Sequence, residues 1–347
     1  MEHHPTKIVE ERLTAGLQPI RAFILAQALY HFMDGGIQEA IASSKDLSVS
    51  ALAQNLNLHK KRLRGFLRYL ANEGYVRLTD NDTVNLTATG QEIADFHPWY
   101  KLLIGGYAKT FQQLSLVLKA DGPYAERDSA SVGVGSCGIS QHDALPMTRQ
   151  LLEKIPGQWR TVIDLGCGDG SYLVDLCKAN PNIRGIGLDS DPISVIVALE
   201  AASYHGVADR VYVQVGSATA LPDFSQEARP LCFITAFVLQ EVLEQSGRSA
   251  ILEMLNSVFD HYPDSYWVVI EVDHRPNDPT VMKKGLGLAY YNPYYLIHNL
   301  TQQRLEKVEF WEKLYHEAGL HTVSIVYPDP SYDSLGLKVG FLLARDR

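Results

Sequence analysis

Four cysteines among 347 residues are too few and too irregularly spaced for a disulfide framework or a cysteine-based metal module, so Cys137, Cys167, Cys177 and Cys232 read as free thiols of a reducing compartment. Positive charge is also short. The 31 Lys and Arg against 40 Asp and Glu leave a net charge of −9, which argues against a general nucleic-acid surface. No apolar run is long enough to span a bilayer. The start, Met1 to Pro5, lacks a basic region followed by an apolar core, so no secretory signal is read and a cytoplasmic location is expected. Internal repeats and low-complexity tracts are missing as well. What remains is an ordinary soluble composition, 46% hydrophobic and 20% charged, with room for about two domains of ~150 residues.

Residues 8 to 43 carry apolar positions at helical spacing, among them Ile20, Phe23, Ile24, Ala26, Leu29 and Phe32, with Gly35-Gly36 as a break. Ser48 is placed to cap a second helix over residues 48 to 56, and residues 60 to 73 form a third. Residues 74 to 78 and 83 to 87 read as strand, polar turn and strand. Three helices and a two-stranded wing make a winged-helix plan, which helical residues 97 to 120 extend into a first domain over 1–120. Lys60, Lys61, Arg62 and Arg64 on the third helix lend some support to DNA binding, while the acidic whole favours a solvated basic face. Residues 121 to 143, rich in Gly, Ser and Asp, read as a loop, and a long irregular segment of this kind belongs near a functional site.

From residue 144 to 347 strands and helices alternate. Strands at 161–165, 185–188, 211–215, 231–236 and 266–271, with helices at 170–179, 192–204 and 246–260, imply a parallel sheet with crossover helices. A helix over 308–318 and strands over 321–327 and 336–343 follow. The fold class is α/β, a Rossmann-like sheet behind a helical winged-helix domain.

The most informative stretch is residues 161 to 170, Thr-Val-Ile-Asp-Leu-Gly-Cys-Gly-Asp-Gly, a buried strand running into a glycine turn and a helix. A dinucleotide site would use Gly-x-Gly-x-x-Gly and bring a pyrophosphate to the helix N-terminus. Here the glycines stand at 166, 168 and 170, and Asp164 and Asp169 put negative charge where phosphate would sit, so a cationic ligand suits the turn better. S-adenosylmethionine, with an ammonium, a sulfonium and no phosphate, is such a ligand. A second strand ends in Asp189, about 20 residues on, where a carboxylate can accept both ribose hydroxyls. A third ends at Gly216-Ser217-Ala218. These ordered landmarks resemble the class I S-adenosylmethionine-dependent methyltransferases. The resemblance implies a sheet closed by a β-hairpin and adenine near 216–218. In the two-domain small-molecule members, the winged helix serves dimerisation and substrate covering, so a homodimer is expected.

Ligands in open α/β sheets collect at the carboxyl ends of the strands. Asp164, Gly166 and Gly168 are therefore expected at the methionine moiety, Asp189 at the ribose, Ser217 and Ala218 at the adenine, and Phe237 beside the transferred methyl group. Ser217 reads equally well as a cap on the next turn. Glu241 reads either as a cleft acid that binds a cation or acts as a base, or as a helix N-terminal acid favoured by the dipole. Between 285 and 304 four tyrosines flank Asn292-Pro293. Aromatic faces suit a sulfonium and a flat substrate, and such stripes also pack as ordinary core. His298 falls seven residues after Tyr291 and three after Tyr295, so in a helix the three share a face.

Gln18-Pro19-Ile20-Arg21, Leu29-Tyr30-His31-Phe32, the stretch from Trp99 to Tyr107, that from Val134 to Ser140, and Asn292 to His298 are similar to the C-methyltransferases of α-keto acids, in particular the group acting on 2-ketoarginine. The resemblance implies methylation of the carbon beside a ketone, with S-adenosylmethionine as cofactor and a small α-keto acid as substrate, on the way to a β-methyl amino acid. Such chemistry needs a base, donors for the developing oxyanion and an in-line methyl group. His298 is the first candidate for base or enolate donor, with Tyr291, Tyr295 or Tyr107 as alternates. A guanidinium end wants a carboxylate, for which Glu241, Glu271 and Asp273 stand at strand ends. Arg21, Lys101 or the amides of 133–138 are the candidates for a substrate carboxylate. Some related keto-acid enzymes use a histidine-bound iron or zinc. Gln240, Glu241 and Asn292 stand about where those histidines would be, so no metal is expected. An O-methyltransferase of a phenol or enol is the nearest rival and would need a histidine directly after the fourth strand. A regulator binding S-adenosylmethionine and DNA is another, and predicts DNA affinity that weakens steeply with salt.

Overall fold

The computed structural model describes residues 5–346; Met1 to His4, weighed above for a leader, lie outside the described residues. The chain divides into two compact units, Met1–Gly105 and Gly106–Arg347, a boundary earlier than the residue 120 read from the sequence. No helix among the described residues is long and apolar enough to cross a membrane.

The first unit runs α1 (Pro5–Asp34), α2 (Ile37–Ala42), β1 (Leu47–Ser48), α3 (Val49–Asn55), α4 (Lys60–Asn72), β2 (Val76–Leu78) and β3 (Thr83–Leu86), followed by short turns α5 (Ala88–Glu92) and α6 (His97–Tyr100). The expected break falls at Gly35-Gly36, where Gly36 has φ 69. The Ser48 side chain accepts the Ala51 N–H at 3.1 Å, the cap that starts α3. The wing has a third strand, in the antiparallel order β1-β3-β2. Leu29, Phe32, Leu52, Leu67, Leu70 and Val84 form its core. On the basic helix, Arg64 Nε lies 2.6 Å from Asp82 in the wing turn, so one of its charges braces the module itself.

In the second unit come α7 (Ala108–Gln112), α8 (Leu114–Val117), α9 (Ser129–Ser140) and α10 (Ala144–Leu152). The 121–143 loop is thus corrected: more than half of it is α9, started by Asp128, whose side chain accepts the Ser131 N–H at 2.8 Å. Gly133, Gly135 and Gly138 lower local helix propensity by roughly 1 kcal/mol each, which hid the helix; the cap and burial of Gly135, Ile139 and Ser140 offset that.

The sheet follows with β4 (Thr161–Leu165), α11 (Ser171–Ala179), β5 (Arg184–Asp189), α12 (Pro192–Tyr204), β6 (Val211–Val215), β7 (Leu231–Ala236), α13 (Leu239–His261), β8 (Tyr266–Val272), α14 (Pro279–Met282), a π-type turn at Gly287–Tyr291, α15 (Asn292–Leu300), α16 (Val308–Glu317), β9 (Leu320–Val326) and β10 (Lys338–Arg345). Strand order is β6-β5-β4-β7-β8-β10-β9, with β4 to β8 parallel and β10 antiparallel to both neighbours. Alternate residues feed two apolar layers. Ile163, Phe233, Trp267 and Val269 pack with Leu255 of α13 and Leu314 of α16. Val162, Ile234, Val268 and Ile270 pack with Leu151 of α10 and Leu173 of α11. The helix expected from residue 246 begins earlier, because Gly247 (φ 81) joins a first segment from Leu239 to the rest of α13 through a kink. That early start puts residues 239–246 directly after β7.

Candidate active site

At the carboxyl end of β4, Gly166 (φ 81) and Gly168 (φ 55) take left-handed backbone that other residues rarely adopt. Space forbids a side chain too. A Cβ on Gly166 would lie 2.5 Å from Val238 Cγ2, and one on Gly168 2.9 Å from Cys137 Sγ. Asp189 ends β5 against this turn: Oδ2 accepts the Gly168 N–H and Oδ1 the Asp191 N–H, each at 2.9 Å. Asp164 is 3% exposed. Burial, then Asp189 and Asp169 nearby, push its carboxyl up to about 8. A buried acid beside a turn stripped of side chains fits a ligand that brings its own positive charge. At the end of β6, Ser217 makes the local turn read as its alternative: its Oγ accepts the Thr219 N–H at 3.2 Å, while Ala218 packs on the core.

The turn after β7 is strained. Phe237 has φ 61, which costs a bulky residue on the order of 1–3 kcal/mol and is found where surroundings enforce it. Its N–H still reaches Ile270 O at 2.9 Å, and Lys338 Nζ stands 5.8 Å from its ring centre. Lys338 is itself buried and paired with Asp143.

The first turn of α13 then brings in a residue that the sequence reading missed. Arg127 Nη2 lies 2.8 Å from Glu241 Oε1, which also accepts Gln303 Nε2–H at 2.9 Å. Gln303 Oε1 in turn accepts the Tyr107 hydroxyl at 3.3 Å and the Thr301 hydroxyl at 3.1 Å. Arg127 Nη1 is buried with no hydrogen-bond partner, although the Tyr107 hydroxyl stands close enough to the guanidinium for each to shift the other's ionisation. The signal available was that Arg127 is the one Lys or Arg between 121 and 143.

His298 is 2% exposed and packs against Tyr294 with ring centres 3.8 Å apart and planes tilted by 33°, and Tyr107 is 6.4 Å away. Its Nδ1 lies 2.7 Å from Tyr294 O, and a carbonyl can only accept, so the proton is on Nδ1 and the lone pair on Nε2. Burial, with Arg127 and His274 nearby, lowers its pKa to about 3, so it is neutral at ordinary pH.

Six expected site residues are employed otherwise. The Tyr291 hydroxyl donates to Asp333, and the Tyr295 hydroxyl donates to Asp273 O at 2.6 Å, with burial raising both phenols away from ionisation. Asp273 holds Arg275 with one oxygen and accepts the Val308 N–H at 3.1 Å with the other, so it starts α16. Glu271, 1% exposed, accepts the Leu239 N–H at 3.0 Å. Arg21 lies on α1 in the first unit, forked onto Glu73. Lys101, also there, bonds Asp34 at 2.7 Å. The amides of 133–138 are committed inside α9. Among the described residues, no group of three or more His, Cys, Asp and Glu is placed to hold a metal.

Comparison with known proteins adds four likenesses. A methyltransferase-domain family model matches residues 159–259. The chain is 45% identical to the 2-ketoarginine methyltransferase of Streptomyces arginensis over 341 residues, 97% of each chain. It is also 30% identical to the indolepyruvate C-methyltransferase of Streptomyces griseus, over 68% of this chain and 69% of that one. Among solved structures, the mitomycin 7-O-methyltransferase MmcR superposes with a TM-score of 0.65 at 18% identity, over 98% of this chain and 99% of that one, which is a likeness of fold.

Proposed function

The chain belongs to the family of methyltransferases that includes the 2-ketoarginine methyltransferase of Streptomyces arginensis, and on that premise we propose that it moves a methyl group from S-adenosylmethionine to the carbon beside the ketone of an α-keto acid, 2-ketoarginine first among them. When bound, S-adenosylmethionine supplies a sulfonium methyl group open to attack by carbon. The protein's share is holding and proton transfer. Asp164 faces the cofactor's ammonium and Asp189 its ribose, while the bare backbone at Gly166 and Gly168 admits it. Arg127 clamps the keto acid's carboxylate, the observation on which the reading rests: its Nη2 is aimed by Glu241 and its Nη1 has no partner of its own. Glu241 thereby becomes the holder of a substrate ligand rather than the first contact of a substrate guanidinium.

His298 Nε2 takes the proton from the carbon beside the ketone, with the Tyr107 ring 6.4 Å from the imidazole. A base held near 3 is weak in the resting protein, and Arg127 is among the causes. A carboxylate bound to Arg127 cancels that influence and adds a negative charge, so substrate binding itself strengthens the base.

The direct test incubates the pure protein with S-adenosylmethionine and 2-ketoarginine, phenylpyruvate or α-ketoisocaproate, with and without chelator, and looks for products heavier by one methyl. Methylation of 2-ketoarginine that survives chelator is expected. The proposal falls if no keto acid is methylated, and the metal-free expectation falls if chelator abolishes turnover.

A second copy of the chain is the partner we infer for α1. Val9, Leu13, Leu17, Ile20 and Ile24 recur every three or four residues along this helix and are 45–64% exposed. Light scattering should report a dimer. Leu13→Glu with Ile20→Glu should yield a monomer that keeps its helical signal, and a wild-type monomer at micromolar concentration would refute the pairing.

A further inference from the structure

The strained turn between β7 and α13 is held from outside. α13 begins at Leu239 with no side-chain cap from Val238, the residue before it. Open helix N–H groups need an acceptor when buried. That acceptor comes from the neighbouring strand: Glu271 Oε1 on β8 takes the Leu239 N–H at 3.0 Å, while Glu271 Oε2 is buried with no partner. Leu239 lies two residues after Phe237 with its φ of 61, and two residues before Glu241, which aims Arg127. The next residue is anchored as well, since Gln240 O accepts the Arg304 N–H at 2.9 Å. Leu239 is therefore the pivot between the residue expected beside the transferred methyl group and the residue that sets the carboxylate clamp.

The titratable groups bearing on Glu271 are Glu241 from α13, Tyr294 from α15 and Tyr315 from α16. None of these is a cation. We propose that Glu271 is a positioning residue which braces the start of α13 against β8 and so fixes Phe237 and Glu241 in the site. The geometry supports the brace independently of any titration: one oxygen is spent on the helix start, and the other is buried with no partner. Burial pushes the group up to about 8, against 4.5 for a free glutamate, over the opposing pull of the Leu239 and Gln240 N–H groups and with a small addition from Glu241. Above that pH the brace would carry a buried charge facing Glu241, which favours a shift of the helix start that lets water reach it. The inference rests on the proposed function for what Glu241 and Phe237 do.

The test compares Glu271→Gln and Glu271→Ala with the wild type from pH 6 to 10. Glutamine keeps the acceptor oxygen and cannot ionise. It should retain kcat within about threefold at pH 7 and lose the fall in kcat that the wild type shows above pH 8. Alanine leaves the Leu239 N–H unpaired and should lower kcat at least tenfold, with KM for S-adenosylmethionine changed less than threefold. An alkaline limb that persists in Glu271→Gln, or an alanine variant with wild-type kcat, overturns the brace. Thermal melts over the same range need no substrate: the wild type should lose stability relative to Glu271→Gln as pH rises towards 8, and a constant difference overturns the proposal. That readout stands even if no keto acid is turned over, a result that would fault the substrate assignment instead.

Discussion

Replacing Arg127 with alanine should lower kcat/KM on the order of a hundredfold, about 3 kcal/mol, for cationic and neutral keto acids alike, because every α-keto acid presents the same carboxylate. Lysine at this position keeps the charge and loses the fork, so it should recover only part of the loss. Glu241→Gln should cost less than Arg127→Ala on all substrates, since it loosens the clamp without removing it. The pair should also be non-additive, because each acts through the 2.8 Å contact between them. Steady-state kinetics of the two single variants and the double variant, with 2-ketoarginine and phenylpyruvate, decide the matter. If Glu241→Gln fails only on the cationic substrate, Glu241 binds the substrate's guanidinium directly and the clamp reading is wrong.

The second large effect is a pH-dependent grip on the cofactor. Asp164 holds its proton up to about 8 in the resting protein. Binding an ammonium beside it expels that proton. Affinity for S-adenosylmethionine should therefore rise roughly tenfold for each pH unit from 6 towards 8. Beyond that it should fall, because the cofactor's own amino group, with a pKa of about 8, sheds its charge. Asp164→Asn should weaken binding and flatten the acid limb. Calorimetry in buffers of different ionisation enthalpy would count one proton released at pH 7 in the wild type and none in the variant; no release in the wild type would sink the assignment. The same acid costs stability when no cofactor is bound. Its folded pKa lies above its unfolded value of 3.8, so the native chain binds the proton more tightly, and stability falls as pH rises from about 4 to 8. Saturating cofactor should remove much of that slope.

What the sequence reveals is what short-range chemistry writes into it. The glycine turn after β4, Asp189 at the end of β5 and the Ser48 cap each need only a few adjacent residues, and each stands where it was read. The sheet strands follow from apolar runs of the right length. Partners distant in sequence are another matter. Tyr291 and Tyr295 share a helical face with His298, as their spacing implies, yet their hydroxyls are claimed by Asp333 and by Asp273 O. Nothing local distinguishes a catalytic phenol from one that ties a helix to a loop. Arg127 and Glu241 are farther apart still, 114 positions, and their pairing exists only once α9 and α13 are in place. Two elements were masked by glycine: α9 by three glycines in its interior, and the start of α13 by the kink at Gly247.

The position of β10 has a consequence for biosynthesis. This strand is translated after the other six strands of its sheet, yet it lies inside the sheet between β8 and β9. While the ribosome is still making residues 273 to 337, β8 offers nascent backbone along an apolar margin that includes Val268, Val269 and Ile270, ready to pair with a neighbouring chain. Asp143 meanwhile waits for Lys338. Lesions in residues 338–345 will therefore be felt first as lost soluble yield, through the time the growing chain spends with its sheet open, and only afterwards as lost turnover.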